Sequence, residues 1–145
     1  MAESRSSIRR YVLDANALIG FFEGRQPTAE KVRKMLAEAH HSNVPLWMSA
    51  VNWGEVYYIE WRRYGEAKAQ EAELKLRSLP ILIIPADLER ATRAAALKQK
   101  HNLGYADAFA AELALERGAW LVTADPEFAK LGKMLSLYPL SRHEK

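Results

Sequence analysis

The chain has 145 residues, of which 49% are hydrophobic and 27% charged, and it contains no cysteine. A chain of this length can bury a core of its own, so we expect a single domain over residues 1–145. The lack of cysteine excludes disulfides, thiolate zinc sites and a cysteine nucleophile, and the net charge of +3 permits a nucleic-acid partner without arguing strongly for one.

No stretch of the chain is apolar for long enough to span a membrane. The longest aliphatic run is Ile81–Ile84, whereas a membrane span needs about 18 apolar residues. Residues 9–13 resemble the start of a signal peptide, but Asp14 and Asn16 interrupt its apolar stretch. We therefore expect a cytoplasmic protein with no membrane partner.

The first half of the chain alternates short apolar runs with amphipathic segments that end at glycine or at a turn. Thr28 and Ser49 are the predicted N-caps of two of these segments. In chain order we predict a strand over 11–13, helices over 17–22 and 28–41, a strand over 46–48, a helix from Ser49 to about 63, and a helix over 66–78.

The second half continues the alternation. Here we predict a strand over 81–84, a helix capped by Asp87 and reaching 100, a helix over 105–117, a strand over 120–123, a short helix after Asp125-Pro126, and a strand over 134–137. Strands separated by helices indicate a parallel sheet with helices on both faces, because each crossover returns to the same edge of the sheet. The predicted fold class is α/β.

Four acidic residues fall where such a sheet places its functional crevice, beyond the carboxyl ends of the strands. Asp14 follows the first strand and Asp125 follows the fourth. Glu55 lies in the second turn of the helix after the second strand, and Asp107 lies in the first turn of the helix at 105–117. We expect these carboxylates to converge on one crevice.

Each acid also has a purely structural interpretation. Asp14 and Asp125 could be turn or cap residues only. Glu55 lies among apolar residues and Asp107 among alanines, where an unpaired carboxylate would be costly. Since the same motifs contain no obvious lysine or arginine partner, like charges would repel or take up protons. A bound divalent cation resolves that conflict.

Carboxylate oxygens alone suit Mg²⁺ or Mn²⁺, which retain several waters and bind a substrate phosphate. Such a metal polarises a phosphoryl oxygen, activates water for in-line attack and stabilises the leaving oxygen. Asn16 and Thr123 each lie two residues from a site aspartate and could orient the ligands or the water. Hydrogen bonding within the turn or at the strand end is an equally good interpretation of both residues.

Four stretches that contain these acids resemble the PIN-domain ribonucleases, and among them the VapC-type toxins of toxin–antitoxin systems. They are VLDANALI at 12–19, SAVNWGEV at 49–56, YADAFAA at 105–111 and LVTADPEF at 121–128. No single stretch is specific, but all four occur in the family's order over almost the whole chain.

The resemblance implies a three-layer α/β/α sandwich with a five-stranded parallel sheet of order 3-2-1-4-5. It also implies Mg²⁺- or Mn²⁺-dependent cleavage of single-stranded RNA (tRNA, rRNA or mRNA), with metal binding and catalysis by Asp14, Glu55, Asp107 and Asp125. Members of the family form homodimers and are inhibited by an antitoxin whose C-terminal segment lies across the site.

Two further sets of residues have open interpretations. Trp53, Tyr57 and Trp61 recur at helical spacing and could belong to the core or to a groove for a partner protein. Four basic residues could contact RNA phosphates or could be ordinary solvated surface: Arg62, Arg63, Lys130 and Lys133. No histidine lies in a site motif, which argues against a histidine base.

Other functions are compatible with parts of the pattern. The chain could be an RNA-processing PIN nuclease, or a PIN domain that binds RNA or protein without cleaving. A signalling receiver domain would need a phospho-acceptor aspartate after the third strand and a lysine after the fifth. Asp87 is instead predicted to cap a helix after an edge strand, and Tyr138-Pro139 follows the fifth strand. A haloacid-dehalogenase-type phosphatase would need aspartate at position 16, where Asn16 stands.

Overall fold

The alternation of strands and helices is present in a computed structural model that describes residues 9–140. The strands are β1 Tyr11–Leu13, β2 Leu46–Ser49, β3 Ile81–Ile84, β4 Trp120–Thr123 and β5 Leu137–Pro139. The α-helices of the described part are α1 Ala15–Phe22, α2 Thr28–Ser42, α3 Ala50–Tyr64, α4 Glu66–Arg77, α5 Leu88–His101 and α6 Tyr105–Arg117. A 3-10 helix covers Pro126–Met134.

All five strands are parallel, in the order β3-β2-β1-β4-β5. This confirms the predicted order and places β3 at an edge. It also excludes a receiver domain, whose sheet has the order 2-1-3-4-5. The order reverses between β1 and β4, where Leu13 pairs with Val122. Residues that follow these two central strands therefore emerge side by side.

The side chains of the sheet alternate between two hydrophobic clusters, as successive residues of a strand must. Leu13 and Met48 pack in one cluster with residues of α1 to α4. Val12 and Trp47 pack in the other with residues of α5, α6 and the 3-10 helix, including Phe109. The sheet is thus the middle of three layers, as predicted. Within residues 9–140, no helix has both the length and the apolar character required to cross a bilayer.

Two helix starts differ from the sequence prediction, and a third is confirmed. Helix α1 begins two residues earlier than predicted, because Asp14 Oδ1 accepts a hydrogen bond from the Ala15 amide at 2.8 Å. Thr28 is the first residue of α2 rather than its cap, and Pro27 occupies the cap position without a side-chain bond. Asp87 caps α5 as predicted, since its Oδ1 accepts from the Arg90 amide at 2.9 Å.

The fifth strand is Leu137–Pro139, so it begins three residues and ends two residues later than the predicted range of 134–137. The 3-10 helix continues to Met134 across a kink at Gly132, which has a φ of 57°. Leu135 is buried in the core ahead of the strand, and the ladder begins with the pairing of Leu121 and Leu137. Met134 therefore belongs to the end of the 3-10 helix and Leu135 to the core, and only Leu137 of the predicted range lies in the strand.

Candidate functional site

A cleft of about 370 Å³ opens at the carboxyl ends of the central strands. Its walls include all four predicted acids, Asp14, Glu55, Asp107 and Asp125. They come from the segments after β1 and β4 and from the helices α3 and α6. The structure thus brings into one cleft four carboxylates that lie up to 111 positions apart in the chain.

Asp14 is the most firmly held of the four. It is only 3% exposed, and its Oδ2 accepts hydrogen bonds from the Thr123 hydroxyl at 2.8 Å and the Asn16 amide at 3.2 Å. Burial raises its pKa to about 7, with contributions from the charges of Asp107 and Glu55, while the bonds from Thr123 and Ala15 act in the opposite direction. A buried carboxyl beside other acids resists losing its proton unless a cation is present.

Asn16 and Thr123 join the two central strand ends around Asp14. Besides their bonds to Asp14, Asn16 Oδ1 accepts from the Ala124 amide at 3.1 Å, and Thr123 Oγ1 accepts from the Asp125 amide at 3.0 Å. The same residues that orient the Asp14 carboxylate therefore also fix the backbone that leads to Asp125. Their part in a reaction stays a prediction.

Asp107 projects from the first turn of α6 and is half-buried. Burial raises its pKa to about 6, and the charges of Asp125, Glu55 and Glu127 add to the effect. Gly104 precedes the helix, and a Cβ at that position would lie 3.2 Å from Asp107 Oδ2. The glycine therefore leaves room for the carboxylate at the helix start.

Glu55 has a partner that the sequence analysis missed. Asn52 is fully buried, and its amide nitrogen donates to Glu55 Oε1 and to the Ala106 carbonyl, each at 3.1 Å. One side chain thereby orients Glu55 and ties α3 to α6 next to Asp107. The available signal was an asparagine one helical turn before an acid on an otherwise apolar face.

The donor set of the cleft consists of oxygen atoms, which fits Mg²⁺ or Mn²⁺. Among the residues that the structure describes, no group of three or more acidic or histidine side chains is arranged as ligands of one ion. Mg²⁺ is commonly held by one or two carboxylates, with waters and a substrate phosphate completing the shell. Burial is the main cause of the raised pKa values of Asp14 and Asp107, with smaller contributions from neighbouring acids, and a bound cation would favour the ionised carboxylates.

The predicted basic residues do not lie together. Arg63 lines the cleft and donates to Glu23 Oε2 at 2.8 Å. The Arg62 guanidinium lies over the ring of Tyr58, 5.7 Å from its centroid. Lys130 pairs with Glu127 at 2.6 Å, and Lys133 is an exposed residue of the 3-10 helix. Only Arg63 of this set lines the cleft, where Arg25, which the sequence analysis missed, lies with it.

The aromatic stripe of α3 runs from the core to the surface. Trp53 is half-buried, packs against the core and lines a separate cavity with Ile81 and Ile83. The rings of Trp53, Tyr57 and Trp61 contact one another edge to face, at centroid distances of 6.1 and 6.0 Å. Trp61 is 46% exposed. The core interpretation therefore holds for Trp53, whereas Trp61 at the other end of the stripe is exposed and available to a partner.

The comparison with known protein families gives one match. A family model described as the PIN domain matches residues 11–134. Among curated proteins, no sequence matches the chain.

Solved structures with the same fold are numerous, and several are toxin–antitoxin proteins. VapBC2 from Rickettsia felis, bound to a promoter DNA fragment, matches with a TM-score of 0.70 at 18% identity, covering 90% of this chain and 98% of that one. A toxin–antitoxin complex from Klebsiella pneumoniae matches with a TM-score of 0.67 at 22% identity, covering 90% of this chain and 99% of that one. VapC20 of Mycobacterium tuberculosis, a toxin that cleaves the sarcin–ricin loop, matches with a TM-score of 0.64 at 16% identity, covering 84% of this chain and 95% of that one. At such identities the likeness is one of fold.

Proposed function

This chain belongs to the PIN domain family, and from that premise we propose that it is a metal-dependent endoribonuclease that acts as the toxin of a toxin–antitoxin pair. The observation that carries the proposal is the convergence of Asp14, Glu55, Asp107 and Asp125 on one cleft. The toxin role is supported by the likeness to toxin–antitoxin structures from several bacteria. A cytoplasmic location and a homodimeric state are parts of the same proposal.

The side chains of the cleft have different roles in this proposal. Asp14 and Asp107, with Glu55 and Asp125, would hold Mg²⁺ or Mn²⁺. When bound, the metal supplies Lewis-acid activation of water and of a phosphoryl oxygen. Thr123 and Asn16 keep the Asp14 carboxylate turned toward the cleft, and Asn52 does the same for Glu55. Since none of the described residues that line the cleft is a histidine, a carboxylate or solvent must receive the proton from the attacking water.

Metal dependence tests the proposal directly. The purified chain is incubated with 5′-labelled single-stranded RNA and Mn²⁺ or Mg²⁺, and the products are separated and their ends analysed. We expect internal cleavage that leaves 5′-phosphate ends, since activated water attacks the phosphorus and the 3′ oxygen leaves. EDTA should abolish the cleavage, and excess Mn²⁺ should restore it. Cleavage that persists in EDTA, or cyclic phosphate ends, would refute the proposed mechanism.

The toxin role has a separate test in cells. Induced expression should arrest growth, and co-expression of the antitoxin encoded beside the gene should relieve the arrest. RNA cleavage in vitro without growth arrest would favour an RNA-processing nuclease instead. Growth arrest that the Asp14→Asn variant also causes would point to a domain that binds without cleaving.

The exposed end of the aromatic stripe is the proposed contact for the antitoxin. We expect Trp61→Ala to leave the melting temperature within a few degrees of the parent value, because the side chain is 46% exposed, and to weaken antitoxin binding by tenfold or more, as aromatic anchors at interfaces do. Calorimetry and melting curves measure the two effects. Leu74→Ala, which removes a 70% exposed leucine from α4, is the matched control. A large loss of stability in Trp61→Ala would show that the side chain contributes to core packing, and would contradict this contact.

A further inference from the structure

Two arginines line the acidic cleft. Among the described residues, Arg25 and Arg63 are the cationic side chains that do so. Both pair with one carboxylate, that of Glu23, at 2.6 Å from Arg25 Nη2 and 2.8 Å from Arg63 Nη1. The Glu23 side chain is 5% exposed, whereas those of Arg25 and Arg63 are 41% and 38% exposed. The carboxylate is therefore an internal anchor, and the guanidinium groups face solvent.

The anchor is completed by a second buried acid. Glu60 is 6% exposed, and its carboxyl group interacts with that of Glu23. Burial and the charge of Glu23 raise the pKa of Glu60 to about 7. Burial would also raise the pKa of Glu23, but the interaction with Glu60, the bond from Arg63 and the charges of Arg25 and Arg63 lower it. A proton shared by the pair therefore favours Glu60, and Glu23 keeps the negative charge.

The positive charge of this cluster exceeds its negative charge when Glu60 is protonated. Two guanidinium groups then face one carboxylate beside the acids. Each guanidinium has five N–H donors in a planar fork that suits phosphate oxygens. The shared carboxylate of Glu23 pairs with one nitrogen of each arginine, so most of these donors are available to a ligand. Two exposed guanidinium groups anchored by a buried carboxylate at the edge of this cleft match the chemistry of a phosphodiester.

The backbone around Arg25 is also fixed in place. The Arg25 amide donates to the Gly20 carbonyl at 2.9 Å, and its carbonyl accepts from the Ala29 amide at 2.7 Å. A Cβ on Gly20 would lie 2.7 Å from the Thr28 methyl carbon. Helices α1 and α2 thus approach each other closely, and Arg25 in the turn between them lines the cleft. On α3, Arg63 lies two helical turns after Glu55, and both line the cleft.

We propose that Arg25 and Arg63 form a phosphate-binding site in which they hold a backbone phosphate of the RNA next to the one that is cleaved, with Glu23 as their positioning residue. The inference rests on the proposed function for the identity of the substrate. The acids act on the scissile phosphate, and the arginines set the register of the strand in the cleft.

RNA binding by variants of the full chain tests this site. The Asp14→Asn chain serves as a non-cleaving parent, and fluorescence anisotropy follows a fluorescein-labelled 12-nucleotide RNA of mixed sequence in Mg²⁺ at several salt concentrations. We expect Arg25→Gln and Arg63→Gln each to weaken binding about tenfold. Each should also reduce the slope of log K against log salt by about 0.7, the value for one phosphate contact on a single strand.

Matched controls separate binding from folding. Arg33→Gln removes an exposed arginine of α2 that pairs with Glu30 outside the cleft, and it should bind as the parent does. Arg25→Lys keeps the positive charge but lacks the planar guanidinium group. It should therefore keep the slope of log K against log salt while losing part of the affinity. Melting curves of all variants show whether the fold is intact.

Each remaining outcome has a definite meaning. Parent-level binding and salt slope in Arg25→Gln and Arg63→Gln would overturn this inference and leave the nuclease proposal standing. Absence of RNA binding by the parent, together with absence of cleavage by the unmodified chain, would overturn both. Arginine-dependent binding of an acidic peptide with unchanged RNA binding would also overturn it, and would assign the pair to a protein partner.

Discussion

Replacement of Asp14 by asparagine should reduce RNA cleavage by about 10³-fold or more. The change keeps the size of the side chain and its cap on α1 but removes the charge from the most buried acid of the cleft. Loss of a metal-binding carboxylate withdraws several kcal/mol of transition-state stabilisation, and each 1.36 kcal/mol is about tenfold in rate. Initial rates at saturating Mn²⁺ measure the loss.

The chain contains a matched control for this experiment. Asp87, like Asp14, follows a strand and caps a helix with its carboxylate, but it is exposed and does not line the cleft. Asp87→Asn therefore changes the same group in the same local structure at another place, and we expect parental activity. Equal activity in the Asp14 and Asp87 variants would indicate a contaminating nuclease and remove the proposed site.

Without metal, the protein should lose stability as the pH rises from about 4 to about 7. The pKa of Asp14 is raised from 3.8 to about 7 by burial and by its acidic neighbours, so in this range the folded chain holds a proton that the unfolded chain releases. Stability falls wherever the folded state binds more protons. For Asp14 alone the full effect is roughly 4 kcal/mol at 1.36 kcal/mol per pKa unit, and Asp107 and Glu60 shift in the same direction.

Thermal melts in EDTA at pH 5 and pH 8 measure this effect. The parent should melt at a lower temperature at pH 8, and Asp14→Asn should show a smaller difference because it cannot ionise at that position. Mn²⁺ should raise the melting temperature more at pH 8 than at pH 5, since a bound cation favours the ionised carboxylates. A parent whose EDTA melting temperature rises between pH 5 and pH 8 would contradict the pKa shifts.

The sequence was sufficient to predict the acids because their positions follow from topology. Asp14 and Asp125 come directly after apolar runs, and parallel strands bring their carboxyl ends to the same edge of the sheet. The sheet order came from the resemblance to a family, and the pairing of β1 with β4 confirms it. Local patterns failed where two causes overlapped, as at the start of the predicted fifth strand, where Met134 belongs to a helix end and Leu135 to a core contact.

The cluster at Glu23 could not be predicted in this way. Glu23 and Glu60 are 37 positions apart, and each falls in a segment where an acid on a helix or at its end is ordinary. Their pairing depends on how α1 packs against α3, which no periodicity within either helix specifies. Asn52 is an intermediate case, because its spacing from Glu55 is visible in the sequence while its bond to α6 is not.

The hydrogen bond from Thr123 to Asp14 spans 109 positions of the chain, and this has a consequence for synthesis. Strands β1, β2 and β3 can pair while the C-terminal third is still being made, but Asp14 then has neither Thr123 to orient it nor Asp125 beside it. The cleft is complete only once β4 has been synthesised and has entered the sheet beside β1. A chain that ends before β4 therefore lacks Asp125 and the hydrogen bonds that Thr123 makes to Asp14 and to the Asp125 amide.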